Sequence, residues 1–103
     1  MVTLTDIQTF ADRVVREFRP DRIILFGSHA EGTAGDESDV DLLVVLPFDE
    51  WPGRMATRIL LRTDPRFPVD LLARTPAQLA ARLRGGDSFL QDVVTRGKVL
   101  YEA

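Results

Sequence analysis

Cysteine is absent from this chain of 103 residues. Disulfide bridges, thiolate metal ligands and a cysteine nucleophile are therefore excluded, and a reducing compartment, the cytoplasm, is expected. Long hydrophobic runs are also missing, since the strongest one, Leu42 to Leu46, is far too short to span a bilayer. The first fifteen residues carry acidic and polar side chains at helical spacing, so we expect neither secretion nor membrane insertion.

Positive charge is absent from one stretch of the chain. No Lys or Arg lies between Glu31 and Glu50, a stretch with seven acidic residues, whereas seven arginines lie between Arg54 and Arg84. The net charge of −3 and the pI near 5.0 argue against a domain that depends on attraction to nucleic-acid backbones. The charge distribution therefore predicts a cation-binding segment followed by an anion-binding one.

The remaining composition is that of an ordinary folded protein, with 45% hydrophobic and 28% charged residues. A chain of this length builds one compact unit with a modest core and has little room for a second. We therefore expect residues 1–103 to form a single domain.

Helical and strand patterns alternate along the chain. Apolar residues recur at helical spacing from Ile7 to Phe18, and Thr5 to Gln8 fits a capping box before them. Short apolar segments predict strands at Arg22–Phe26, Val40–Leu46 and Val69–Ala73 and a final edge strand at Val99–Tyr101. Further helices are predicted from Trp51 to Asp64, from Thr75 to Arg84 and from Ser88 to Arg96, the last capped by Gly97. This order predicts an α+β fold, a small mixed sheet with helices packed mainly on one side.

Two aspartates stand at the start of the second predicted strand. Asp39 and Asp41 are two positions apart, so their side chains point the same way, with Cα atoms roughly 6.5 Å apart. Aspartate is depleted in strands, and two of them at the mouth of an apolar strand need a balancing charge. Mg²⁺ would supply it, because this ion combines a few carboxylate oxygens with waters and substrate phosphates. An isolated pair of this kind is better explained by a turn aspartate, Asp39, followed by an exposed strand-edge aspartate, Asp41.

A Gly-Ser turn follows the first strand, and Ser38 lies ten residues after Ser28. Gly27 lets the backbone come close to a ligand, and the Ser28 hydroxyl with free amides at the start of a helical turn makes an anion site. The turn alone indicates little. Together with Asp39 and Asp41 it favours metal-assisted phosphoryl chemistry.

A third carboxylate is predicted at Asp70. Val69-Asp70-Leu71-Leu72 repeats the tetrad Val40-Asp41-Leu42-Leu43, which puts an aspartate near the beginning of another apolar strand. Such a group would hold a second metal ion or accept the proton of an attacking hydroxyl. The alternative is a strand-edge aspartate that pairs with Arg66 or Arg74.

Two other polar features receive structural interpretations. His29 directly follows Ser28, and adjacent side chains diverge, so it is predicted to be a partly exposed turn residue without a catalytic role. Arg54, Arg58 and Arg62 form one stripe of a helix and are predicted to be a solvated face. Contact of that stripe with an acidic protein or an RNA is the alternative.

Gly27-Ser28, Asp39-Val40-Asp41 and Asp70 together resemble the active-site signature of the DNA polymerase β nucleotidyltransferase superfamily. More narrowly, Ile23 to Tyr101 is similar to the minimal nucleotidyltransferases of bacteria and archaea. The resemblance implies that Asp39, Asp41 and Asp70 are catalytic and hold Mg²⁺, two ions in all. It also implies that Gly27 and Ser28 bind the nucleotide triphosphate, with ATP as the substrate.

The same resemblance implies a partner and a role. Minimal nucleotidyltransferases are commonly encoded beside a small helical HEPN protein, act as antitoxins of HEPN ribonuclease toxins, and in some cases transfer AMP to a tyrosine of the toxin. The implied function is Mg²⁺-dependent adenylyl transfer (AMPylation) to a hydroxyl of a HEPN toxin, without a membrane or direct nucleic-acid binding. The alternatives are a binding module that masks the toxin, and nucleotidyl transfer to a small molecule or an RNA end.

The chain departs from the family pattern beside the Gly-Ser turn. Many relatives carry arginine where this sequence has His29 or Glu31, and an acidic residue there would not help to hold a triphosphate. About one hundred residues hardly build the nucleotide pocket alone. The acceptor surface is therefore expected to come from another molecule.

Overall fold

The computed structural model describes all residues from 1 to 103. The strands are β1 (Arg22–Phe26), β2 (Val40–Val45), β3 (Val69–Arg74) and β4 (Lys98–Glu102). The helices are α1 (Leu4–Phe18), α2 (Ser28–Glu31), α3 (Pro52–Thr63), α4 (Pro76–Arg84) and α5 (Ser88–Arg96). None of these helices is both long and apolar enough to cross a membrane.

The four strands form one mixed sheet in the order β3-β2-β1-β4. β1 pairs antiparallel with both β2 and β4, whereas β2 and β3 are parallel. A parallel pair cannot be joined by a tight turn, and α3 supplies the necessary crossover between β2 and β3. The predicted α+β class is confirmed.

The helices cover both faces of the sheet. α1 and α3 pack on the face that carries Leu25 and Leu42, and α4 and α5 pack on the face that carries Ile24 and Leu43. The expected placement of the helices mainly on one side is therefore corrected. The physical reason is that β1 and β2 are apolar on both faces, and each fully buried leucine or isoleucine contributes about 1.5–3 kcal/mol only when its own face is covered.

The start of α1 differs from the sequence prediction by about half a turn. Thr3, not Thr5, caps the helix: Asp6 N donates to Thr3 Oγ1 at 3.1 Å, and Thr3 N donates to Asp6 Oδ2 at 2.9 Å. Gln8 points elsewhere and donates to the Leu100 carbonyl at 3.2 Å. Both threonines have an acidic or amide residue three positions on, so local pattern alone did not distinguish them.

The end of α5 depends on a glycine, although not on a left-handed one. Gly97 has φ −69° and ψ 166°, an extended conformation. A Cβ atom there would lie 2.6 Å from Ile24 Cγ2 and 2.9 Å from the Leu25 carbonyl oxygen. Gly97 therefore allows the end of α5 to lie directly against β1.

Candidate active site

Asp39, Asp41 and Asp70 lie at the end of the sheet where β2 and β3 begin. Asp41 and Asp70 are register partners in these two adjacent parallel strands, whose axes are about 4.8 Å apart. Asp39 precedes β2 by one residue. Side chains alternate along a strand, so Asp41 shares a sheet face with Leu43, the face that α4 and α5 cover. The three carboxylates predicted from sequence thus come from two strands to one corner.

The electrostatics of this corner are dominated by like charges. The pKa of Asp41 is raised above its ordinary value of 3.8, first by burial and then by the negative charges of Asp70 and Asp39, while His29 acts in the opposite direction. None of the three aspartates forms an ion pair; the salt bridges of the structure all lie elsewhere. The corner therefore has negative charge that no ion pair of the chain offsets.

The turn after β1 touches this corner directly. Gly27 has φ 73° and ψ −157°, a conformation that is open mainly to glycine. A Cβ atom on Gly27 would overlap Oδ2 of Asp41. Phe26, the preceding residue, is the register partner of Asp41 in the antiparallel pair of β1 and β2. The backbone at Gly27 and the Asp41 carboxylate are consequently held in contact.

Ser28 begins α2, a four-residue helix that matches the helical turn expected after Gly27. α2 is closed at its other end by Gly32, which has φ 76°. None of its side chains is fully buried. The structure thus places Ser28 on a short, partly exposed helix, directly after the glycine that touches Asp41.

His29 links α2 to the loop that leads into β2. Its Nε2 lies 3.2 Å from the Ser38 carbonyl oxygen, and Ser38 Oγ accepts a hydrogen bond from Gly35 N at 2.9 Å. The side chain is half-buried, as a turn residue should be, but its contact fixes the residue directly before Asp39. Sequence patterns gave no signal for this link, because it joins two segments without regular spacing.

Glu31 is neutralised by a residue far away in sequence. Arg96 Nη2 lies 2.6 Å from Glu31 Oε1, and Arg96 Nη1 lies 3.7 Å from Asp92 Oδ1. A cavity of about 160 Å³ between α2 and α5 is lined by Gly27, Glu31, Phe89 and Arg96 among others. The acidic residue that departs from the family pattern is therefore not an isolated charge.

The donor set of the corner suits Mg²⁺, although no preassembled ion cage exists. No group of three or more acidic or histidine side chains stands close enough together to hold a metal ion as the side chains are arranged. Mg²⁺ prefers oxygen donors and retains several waters, so it needs only one or two carboxylates together with substrate phosphates. A bound cation would favour the charged form of Asp41 and so counteract the rise in its pKa.

The larger cavities of the surface lie away from this corner. One of about 730 Å³ is bounded by Trp51, Arg54, Arg74 and Arg82 among others and contains none of the predicted site residues. On the α3 stripe, Arg58 pairs with Glu50 at 2.6 Å and Arg62 approaches Glu17 at 3.7 Å. These are the contacts of an exposed helix face, which agrees with the solvated interpretation of the stripe.

Comparison with known proteins identifies the family. The nucleotidyltransferase domain family matches residues 7–80, a span that contains Gly27, Ser28 and the three aspartates. A protein of Methanocaldococcus jannaschii, provisionally named a protein adenylyltransferase, is 33% identical over 81 residues, which make up 78% of this chain and 77% of that protein.

Solved structures share the fold. The crystal structure of a toxin–antitoxin with AMP-PNP aligns with a TM-score of 0.60 and 27% identity over 93% of this chain and 73% of that chain. A provisionally named nucleotidyltransferase from Sulfolobus solfataricus aligns with a TM-score of 0.66 and 21% identity over 96% of this chain and 79% of that chain, a likeness of fold alone. The family match and the identity to the archaeal relative confirm the prediction made from the signature residues: the chain belongs to the nucleotidyltransferase domain family, and its enzymatic class is nucleotidyl transfer.

Proposed function

We propose that this nucleotidyltransferase transfers AMP from ATP, with Mg²⁺, to a hydroxyl of a helical HEPN-type toxin in the cytoplasm and thereby acts as an antitoxin. The observation that carries the proposal is the corner where Asp41 faces Asp70 across two parallel strands and touches the Gly27 turn. A relative named for protein adenylylation and a toxin–antitoxin neighbour with AMP-PNP support the choice of nucleotide and partner.

The residues divide into a phosphate side and a carboxylate side. Ser28 and the backbone at Gly27 bind the triphosphate, because glycine lets the backbone come close to a ligand. The missing Cβ of Gly27 leaves room for the Asp41 carboxylate beside the turn. Asp39, Asp41 and Asp70 are the residues that would hold Mg²⁺, up to two ions, which when bound offset phosphate charge at the reaction centre. With these ions bound, the corner would hold the α-phosphate beside the incoming hydroxyl.

The transfer is a single displacement at the α-phosphorus. The acceptor oxygen forms the new P–O bond as the bond to the bridging oxygen breaks in line and pyrophosphate leaves. Asp70 lies on β3, an edge strand of the sheet, and is exposed, so it is placed to accept the proton of the acceptor hydroxyl. Asp39 is exposed as well. A hydroxyl on a macromolecule can therefore reach both residues.

The test is incubation of the protein with α-labelled ATP, Mg²⁺ and the product of the neighbouring gene. Label should appear on that partner with wild type. It should fall at least about a hundredfold with Asp39→Asn, Asp41→Asn or Asp70→Asn, the scale for loss of a preorganised electrostatic group. Asp64→Asn is the matched control, because Asp64 sits in a left-handed turn (φ 45°) that asparagine tolerates. Label that persists after both Asp39→Ala and Asp41→Ala would refute these roles.

A second candidate is a non-catalytic antitoxin that masks the toxin by complex formation. Two observations favour it: Glu31 lies on the helix of the phosphate turn, and the carboxylates form no preassembled metal cage. Aspartate-to-asparagine variants that neutralise the toxin as well as wild type would select this function. Nucleotidyl transfer to a small molecule or RNA end is the third, and labelling of such an acceptor in place of the partner protein would identify it.

A further inference from the structure

From the contact between α2 and α5 we infer that Arg96 is a positioning residue of the nucleotide site: it cancels the charge of Glu31 beside the place where Ser28 meets the triphosphate. This inference rests on the proposed function, in which the Gly27–Ser28 turn binds phosphate. It adds a residue that lies outside the turn and outside the three aspartates.

Glu31 lies close to the proposed phosphate position. It is three residues after Ser28 on the same short helix, and side chains at this spacing are neighbours, with Cβ atoms roughly 5–6 Å apart. Glu31 also lines the same cavity as Gly27. A triphosphate bound at the turn would therefore be repelled by the Glu31 carboxylate if that charge were not balanced.

Arg96 reaches Glu31 from a helix that is fixed at both ends. Near the start of α5, the Phe89 ring packs edge-on against Phe26, with centroids 5.6 Å apart. At its end, Gly97 lies against the Leu25 carbonyl. Because β1 leads directly into the Gly27 turn, α5 is attached to the same strand that positions the turn.

α2, in contrast, is a short helix whose own contacts are those of Ala30 with the core and of His29 with the Ser38 carbonyl. It contains four residues, buries none of them fully, and has no side-chain cap at Gly27. A cavity separates it in part from α5. The Arg96–Glu31 contact of 2.6 Å spans this gap. Loss of Arg96 would therefore uncover a negative charge beside the turn.

The experiment measures ATP binding in the presence of Mg²⁺ by titration calorimetry with the full chain. Arg96→Ala should raise the Kd for ATP roughly three- to tenfold, the scale of one uncompensated charge at a partly exposed site. Glu31→Gln should bind at least as well as wild type. The double variant Glu31→Gln/Arg96→Ala should return to within about twofold of wild type, because the repulsion is then gone. The penalty of Arg96→Ala should also shrink as salt is raised.

Arg62→Ala is the matched control. Arg62 faces Glu17 at 3.7 Å, and the exposures of that pair (61% and 42%) resemble those of Arg96 and Glu31 (65% and 45%). Its Kd for ATP should equal that of wild type. If Arg96→Ala proves too unstable to assay, Arg96→Gln with and without Glu31→Gln gives the same comparison.

Two results overturn the inference while leaving the proposed function standing. One is unchanged ATP binding by Arg96→Ala. The other is a loss that Glu31→Gln does not rescue and that salt does not reduce, which would make Arg96 a direct phosphate ligand or a purely structural residue. Failure of wild type to bind ATP at all would overturn both proposals together.

Discussion

Gly27 and Asp41 are in such close contact that the smallest side chain at position 27 would displace the carboxylate of Asp41. The contact joins the turn after β1 to the first strand that bears aspartates. Its consequence is that the Gly27 turn and the carboxylate part of the corner do not move independently. A change at the turn is therefore transmitted to the aspartates without any intermediate residue.

The first prediction concerns this contact. Gly27→Ala should abolish nucleotidyl transfer, because the methyl group pushes Asp41 away and the positive φ adds strain of about 1 kcal/mol. Gly32→Ala is the control, since Gly32 has a similar φ of 76° but no atom within 4 Å of an added Cβ. It should lower stability through strain alone and keep most activity. Thermal melting and the labelling assay measure the two effects, and equal loss of activity in both variants would contradict the role of the contact.

The second prediction is a pH dependence of stability. The pKa of Asp41 is raised in the folded chain, so its protonated form is favoured by folding. The protonated Asp41 carboxyl group stabilises the folded chain. This effect is fully present below the pKa of Asp41 in the unfolded chain, near 3.8, and is lost as pH rises through its pKa in the folded chain. Asp41→Asn should therefore melt roughly 2–4 °C above wild type at neutral pH, and this gain should vanish as pH falls below about 4. Asp64→Asn removes the same formal charge and should show no comparable gain.

The third prediction concerns Mg²⁺ as the ion of the three aspartates. Adding Mg²⁺ to metal-stripped protein at neutral pH should raise the melting temperature of wild type. When the Mg²⁺ concentration is ten times its Kd, the free energy of unfolding should rise by about 1.4 kcal/mol. The double variant Asp39→Asn/Asp41→Asn should not respond. An equal response of wild type and double variant would place the Mg²⁺ elsewhere on the chain.

The fourth prediction concerns His29. His29→Ala removes the contact with the Ser38 carbonyl, so backbone amides of residues 33–39 should exchange faster with deuterium. The rate of transfer should fall roughly fivefold, the equivalent of one hydrogen bond of about 1 kcal/mol. His29→Gln can still donate to the carbonyl and should recover most of the rate. Faster deuterium exchange with an unchanged rate of nucleotidyl transfer would show that the loop does not position Asp39.

Much of the fold was predictable because its signals are local. The strand Arg22–Phe26 and the helix that starts at its N-cap Thr75 and ends at Arg84 were predicted with the bounds that the structure shows. The repeated Val-Asp-Leu-Leu tetrads were more informative still. They lie side by side in register in β2 and β3, so that Asp41 faces Asp70. The repeat predicted an aspartate at the same position of both strands, and their meeting also requires the parallel pairing of β2 with β3.

The rest depends on contacts between distant segments. From the local sequence, Glu31 would be expected to repel a phosphate. Its partner Arg96 lies 65 residues away, so local patterns do not indicate the pair. The cover of both sheet faces by helices likewise follows from tertiary packing rather than from the order of elements. Thr3 and Thr5 carry similar capping patterns, so only the folded helix distinguishes them.

The crossover through α3 divides the candidate active site into two parts that differ in their resistance to local unfolding. Gly27, Asp39 and Asp41 belong to β1, β2 and the loop that joins them, whereas Asp70 arrives only after α3 has docked. A partially melted molecule that releases α3 and β3 would retain the antiparallel pair and its turn while losing the proton acceptor. Such a species would sequester ATP without consuming it, so destabilising substitutions in α3 should impair turnover at temperatures where nucleotide affinity persists.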